Sequence, residues 1–183
     1  MKRILFICLA ASLLAACTPK GEYRIHGYTP ENSLNGTKIF LVPMHDESPQ
    51  MVDSVVIQDN KFEFKGHGKM RQEWMATLRL SKKNRIGYES LLVVTEPGDI
   101  FVTIGKESSG YGTPQNDSLQ VWKDLTMEMN KTTSSLRRAG MTAEADSVRA
   151  IYKKRSRQIC ENVGNETTLG AFLGKMFLPK KEK

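Results

Sequence analysis

The spacing of apolar residues changes once along this chain, and that change constrains its fold more than any other feature. Between residues 23 and 112, apolar and polar side chains alternate over short runs, which is typical of β-strands. Between residues 113 and 179, apolar side chains recur at helical spacing. Strands that precede helices, rather than alternate with them, favour an α+β fold. We therefore predict an antiparallel β-sandwich or barrel of about seven strands, followed by a C-terminal helical segment.

Two turn signals support the β region. Asp59-Asn60 separates two alternating runs, and both residues tolerate a positive φ, so a two-residue hairpin is expected there. In the second run, Phe62 and Phe64 are predicted to share the core face. Residues 96–99 read Glu-Pro-Gly-Asp, and the glycine supplies the positive φ that a type II turn needs.

The helical region has its own boundary signals. Thr113 is expected to cap the first helix, and Pro114 suits its first turn. A second helix is predicted from about Thr142 until glycine and asparagine at 164–165, and Pro179 stops a third, short helix.

The first residues resemble an export signal. Lys2 and Arg3 precede an apolar run over residues 4–16, which is too short to span a membrane. The run ends in Leu-Ala-Ala-Cys, similar to a bacterial lipobox. We predict that residues 1–16 are a lipoprotein signal peptide, that Cys17 carries the lipid, and that residues 17–22 are a tether. The alternative is an ordinary secretory signal that happens to end in cysteine.

The tether also predicts a location. Residues 18–22 contain one late glutamate and no aspartate, so they lack both an acidic export cluster and an inner-membrane retention signal. A lipid-anchored protein of the outer membrane that faces the periplasm is expected, rather than a surface-exposed one.

The net charge of +7 has two local sources. Residues 153–157 are rich in lysine and arginine, and three lysines lie in the last four residues. We interpret both as solvated surface, and contact with acidic lipid headgroups is the alternative. Nucleic acid is not an expected partner, because no aromatic residues interleave with the basic cluster. Oligomeric state is not predicted.

Three cysteines limit redox chemistry. Cys8 leaves with the signal peptide and Cys17 takes lipid, so only Cys160 remains and no intrachain disulfide is possible. No Cys-x-x-Cys motif occurs. Cys160 lies on a predicted helix and is expected to be a small buried apolar residue, with a reactive thiol as the alternative.

No catalytic or cofactor pattern is evident, so we predict that the chain is not an enzyme and needs no metal or cofactor. His26, His45 and His67 lack metal-ligand spacing. The segment His45-Asp46-Glu47, with Asp53 nearby, is interpreted as a polar surface loop rather than a cation site. Glu89 and Glu96 are interpreted as isolated carboxylates.

Three Asp-Ser-aliphatic triplets resemble an O-glycosylation sequon of exported Bacteroidetes proteins. Their candidate acceptors are Ser54, Ser118 and Ser147. Serine and aspartate are also common in turns and caps, which is the alternative interpretation.

The order of motifs resembles a known family. The motifs lie at residues 36–41, 52–55, 61–66, 96–100, 112–117 and 161–170. Together they are similar to an uncharacterised β-rich lipoprotein domain of Bacteroidetes that usually precedes a thioredoxin-like domain in thiol-disulfide interchange proteins. No thioredoxin-like active site follows here. The resemblance implies the location and the fold and withholds the enzymatic activity. Together with the lipobox and the missing catalytic residues, it favours a lipid-anchored, non-enzymatic binding or accessory module, with a thioredoxin-like protein as a possible partner. The alternative is a truncated or split thiol-disulfide interchange protein.

Overall fold

The computed structural model describes residues 21–66, 72–81, 83 and 86–179. The predicted signal peptide, Cys17, His67 and the terminal lysines lie outside these residues. Within them, eight strands form two four-stranded sheets that pack as a sandwich rather than a closed barrel. The strands are β1 Tyr23–Tyr28, β2 Lys38–Pro43, β3 Asp53–Val56, β4 Lys61–Lys65, β5 Met75–Leu80, β6 Leu91–Val94, β7 Gly98–Thr103 and β8 Ser109–Tyr111.

The first sheet has the strand order β4-β1-β7-β8, and the second has the order β3-β2-β5-β6. Neighbouring strands are antiparallel except β1 and β7, which run parallel with Tyr23 opposite Gly98. The predicted α+β fold with an antiparallel-rich sandwich is confirmed, and β1–β7 is the parallel pair among the described strands. Alternation shows which face of a strand is buried, and it carries no information about the direction of the neighbouring strand. The additional strand, β8, has only three residues, too few for a pattern.

The interior of the sandwich follows the alternation. In β4, Phe62 and Phe64 are buried whereas the three charged residues between and beside them are exposed, as predicted. Gly27 of β1 faces Phe62, and a Cβ built on this glycine would lie 2.0 Å from the ring. The phenyl ring therefore occupies the space that a side chain at position 27 would need.

The two-residue turn at residues 59–60 forms as predicted, but the strands that it joins lie in different sheets rather than in one hairpin. Asp59 and Asn60 have φ values of 48° and 62°, so β3 and β4 are joined through a turn with two left-handed residues. Gly98 has the predicted positive φ, but its value of 128° and its place as the first residue of β7 differ from the predicted type II turn.

Three helices follow the strands: α1 Pro114–Arg138, α2 Thr142–Val163 and α3 Thr168–Phe177. A second apolar cluster joins the outer face of the second sheet to these helices, and it consists of Met75, Val94, Leu119, Cys160, Leu169 and Leu173. Cys160 is 0% exposed, so its predicted burial is confirmed. In the part of the chain that the structure describes, no helix combines the length and apolar character needed to cross a membrane.

Candidate functional site

The first turn of α1 is capped by a side chain from another element. Thr113 occupies the N-cap position, but its hydroxyl accepts a bond from Asn116 Nδ2 at 2.8 Å instead of bonding a helix N–H. Glu96 Oε1 accepts from the backbone N–H groups of Gln115 at 2.7 Å and Asn116 at 3.2 Å. This carboxylate is 7% exposed and lies at the positive end of the helix dipole. Glu96 is therefore not isolated, although these backbone partners do not pair it for general acid/base work.

Asn116 connects α1 to the free edge of β6. Its Oδ1 accepts from Val94 N at 2.9 Å, and its Nδ2 donates to Val94 O at 2.8 Å. The side chain is 1% exposed. One buried amide thus satisfies both backbone groups of an edge residue, as an adjacent strand would.

The same helix also contacts β8 of the other sheet. Gln120 Oε1 accepts from Gly110 N at 2.9 Å, and Asp117 Oδ1 accepts from Gly112 N at 2.8 Å. Because β6 and β8 are edge strands of different sheets, α1 joins the two sheets along one side of the sandwich.

An ion pair lies one turn further along α1. Lys123 Nζ is 2.6 Å from Glu89 Oε2, and the two side chains are 17% and 33% exposed. Lys123 also donates to the carbonyl of Ser108, and Glu89 accepts from Ser108 N at 2.8 Å. Glu89 is therefore not isolated either, because the fold supplies a cation from a residue 34 positions away.

Between these contacts lies a cavity of about 270 Å³. This volume is close to the lower end of the range for small-molecule sites, about 300 Å³. Its apolar lining comes from Leu91, Leu92, Leu119, Trp122 and Met127, and its polar lining from Glu89, Ser90, Gly110, Asn116, Gln120, Lys123, Thr126 and Asn130. Several of these polar side chains are fixed by bonds to the backbone or to each other, namely those of Glu89, Asn116, Gln120, Lys123 and Thr126.

Sequence reasoning missed Asn116 and Gln120. They lie four residues apart, on the side of α1 that also carries the buried Leu119. Polar residues within the apolar stripe of a helix were the available signal, because buried polar side chains need partners.

The predicted glycosylation acceptors lie on three separate elements. Ser54 is exposed on β3, where its own N–H donates to Asp53 Oδ1 at 2.7 Å. Ser118 and Ser147 are helical, and each hydroxyl donates to the carbonyl four residues earlier, at 2.9 and 3.0 Å. The structure does not bring the three together, and their modification stays a prediction.

The acidic loop and the described histidines have local partners. Asp46 accepts from Ser48 N at 2.9 Å, and Glu47 pairs with Arg79 at 3.2 Å. His26 Nε2 is 2.9 Å from Asp99 Oδ1, and its ring stacks on Phe101. Across residues 21–66, 72–81, 83 and 86–179, no three His, Cys, Asp or Glu side chains cluster as a metal site requires.

The Cys160 thiol lies inside the helical cluster. Its Sγ is 3.4 Å from Gly170 O and 3.5 Å from Asn165 Oδ1. Burial, with a smaller contribution from the charge of Glu161, raises the pKa of this thiol. A buried, protonated thiol is a poor nucleophile, so the geometry disfavours a reactive role.

The helix contacts also bear on the comparison with known proteins. Residues 23–119 match the family described as Domain of unknown function (DUF4369). The chain belongs to this family. The DUF4369 match runs from β1 into α1, so it includes Glu96 and Asn116 and ends at Leu119 on the cavity wall. No curated protein and no solved structure matches the chain.

Proposed function

We propose that this protein is a non-enzymatic binding module of the cell envelope, anchored through lipid on Cys17, and that it holds a small ligand in the cavity beside α1. The observation that carries the proposal is the cavity itself, which lies between two strand edges and a helix. A concave space with an apolar lining and a few convergent polar groups is the usual form of a ligand site.

The state of the polar groups supports binding rather than catalysis. Glu89 and Lys123 are the charged residues among those that line the cavity, and they neutralise each other at 2.6 Å. Asn116 and Gln120 are bonded to backbone groups. Groups held in this way can orient a ligand, whereas a catalytic acid or base must exchange a proton with a substrate.

A fragment screen followed by NMR tests the cavity. Small neutral aromatic amides and alcohols should shift the backbone amide signals of Leu92, Leu119 and Lys123 in the isotope-labelled protein. Met127→Trp should weaken these shifts because Met127 lines the cavity and is 43% exposed. Val121→Trp is the matched control, since Val121 is 57% exposed on α1 and lies outside the cavity lining. Equal effects of the two variants would remove the cavity as the site.

Membrane anchoring rests on the sequence and has its own test. Cys17→Ala should abolish labelling by a palmitate analogue and leave an unprocessed or soluble form. A six-residue tether reaches at most roughly 20 Å when extended, so the sandwich would stay near the bilayer. Protease added to intact cells should spare the protein if it faces the periplasm, and permeabilised cells should lose it. Equal labelling of both forms would contradict the lipid assignment.

A further inference from the structure

The free edge of β6 has one residue whose outward backbone N–H and C=O are not bonded by α1. Val94 lies opposite Met75 of β5, yet its N–H and C=O bond the Asn116 amide. Both groups of Val94 therefore point away from β5. In an antiparallel ladder this orientation alternates, so the N–H and C=O of Leu92 also point away from β5, on the same side as those of Val94.

Leu92 lines the cavity. Among the residues that the structure describes, none donates to or accepts from its outward backbone groups. The cavity wall thus offers one donor and one acceptor from a single residue, next to a position where an amide already binds the same pair of groups.

We propose that the cavity recognises a ligand through a primary amide or lactam group, which accepts from Leu92 N–H and donates to Leu92 C=O. The contact repeats the one that Asn116 makes with Val94 two residues later. The apolar part of the ligand packs against Leu119 and Trp122. This inference rests on the proposed function, because it takes the cavity to be the ligand site.

Charged ligands fit these groups less well than a neutral amide. A carboxylate only accepts hydrogen bonds, so it would leave the Leu92 carbonyl unpaired and place a negative charge beside it. An ammonium only donates, so it would leave the Leu92 N–H unpaired. The ion pair of Glu89 and Lys123 offers no net charge to attract either group.

The test compares benzamide, N,N-dimethylbenzamide and benzoate as probes of the full folded chain. Benzamide should shift the Leu92 amide signal and bind about tenfold more tightly than the dimethyl compound, which has no N–H to donate. Benzoate should bind more weakly than benzamide, because its carboxylate has no hydrogen to donate to the Leu92 carbonyl. The affinities come from the NMR titration curves.

Two variants isolate the backbone contact. Leu92→Pro removes the outward N–H, which takes no part in the ladder with β5, so an edge strand tolerates the change. Leu92→Ala keeps the N–H and removes most of the side chain. Benzamide affinity should fall about tenfold more in the proline variant than in the alanine variant. Circular dichroism spectra that match the unmodified chain would show that both variants fold. If the proline variant does not fold, the affinities of the three probes for the unmodified chain decide the question.

The outcomes separate the two proposals. Equal affinity for benzamide and dimethylbenzamide, with shifts at Leu92 and Leu119, would overturn the amide inference and leave the cavity as a binding site. Shifts confined to residues away from the cavity, or no shifts from any probe, would overturn both.

Discussion

The two edges of this sandwich are closed in different ways. At one edge, β3 and β4 belong to different sheets and are joined directly through the turn at Asp59-Asn60, where Gln58 and Lys61 exchange two backbone bonds of 2.9 and 2.8 Å. At the other edge, α1 side chains make the bonds to β6 and β8. At the turn the main chain itself links the two sheets, whereas α1 contacts the strand edges only through side chains, about once per helical turn.

The cavity lies between two successive contacts that α1 makes with the strand edges. Asn116 bonds Val94, Lys123 pairs with Glu89, and Leu92 lies between them on β6 with its outward backbone groups unbonded by any described residue. A strand edge covered by helix side chains can therefore keep backbone groups that no described residue bonds, as at Leu92.

The largest effect is expected for Asn116→Leu at the helix-covered edge. The change leaves the N–H and C=O of Val94 buried without partners, so the free energy of unfolding should fall by about 3 kcal/mol. Urea denaturation measures this. Asn130→Leu is the control, since Asn130 is exposed on the same helix and bonds no strand edge. A loss below about 1 kcal/mol would show that Asn116 does not hold this edge.

Gly27→Ala tests the packing beside the hairpin-closed edge. The added Cβ would meet the Phe62 ring, so we expect a loss of about 2 kcal/mol in the free energy of unfolding. Combining it with Phe62→Leu should cost less than the sum of the two single changes, because the smaller side chain makes room. Strict additivity would argue against the steric contact.

Asp59→Ala tests the turn itself. Asp59 has a φ of 48°, and alanine resists this conformation more than aspartate does, so the free energy of unfolding should fall by about 1 kcal/mol. Asp59→Gly should cause no loss, because glycine adopts a positive φ freely. If both variants lose stability equally, the side chain rather than the backbone conformation matters here. Neither variant should alter benzamide binding at the opposite edge.

The smallest effect concerns Cys160 beneath the helix-covered edge. The native thiol should resist Ellman's reagent and react only as the protein unfolds, and the purified chain should not reduce insulin. Because burial raises the thiol pKa in the folded state, its contribution to stability is complete below the unfolded pKa, near 9.0. Above that pH the unfolded state loses its proton first, so the free energy of unfolding should decrease slightly. Cys160→Ser should remove this pH dependence, and rapid native labelling would contradict the burial.

Several features were determined by the sequence alone. Alternation at Phe62 and Phe64, the positive-φ pair at 59–60, the helix start at Pro114 and the order of strands before helices all depend on residues close together in the chain. Local sterics and the solvent preference of each side chain are enough to specify them. The lipid site at Cys17 and the three serines also come from local motifs, and they stay predictions.

Only the tertiary structure decided which distant groups meet. It placed β7 parallel to β1 and bonded the Glu96 carboxylate to the first turn of α1. It also paired Asn116 with Val94 and left Leu92 facing the cavity. Each of these contacts joins residues at least 19 positions apart or depends on one that does. Residue periodicity records which side of an element is buried, and it cannot record what lies against that side. The proposed ligand site depends on that second fact, because its donor and acceptor are backbone groups of Leu92 that α1 leaves unbonded.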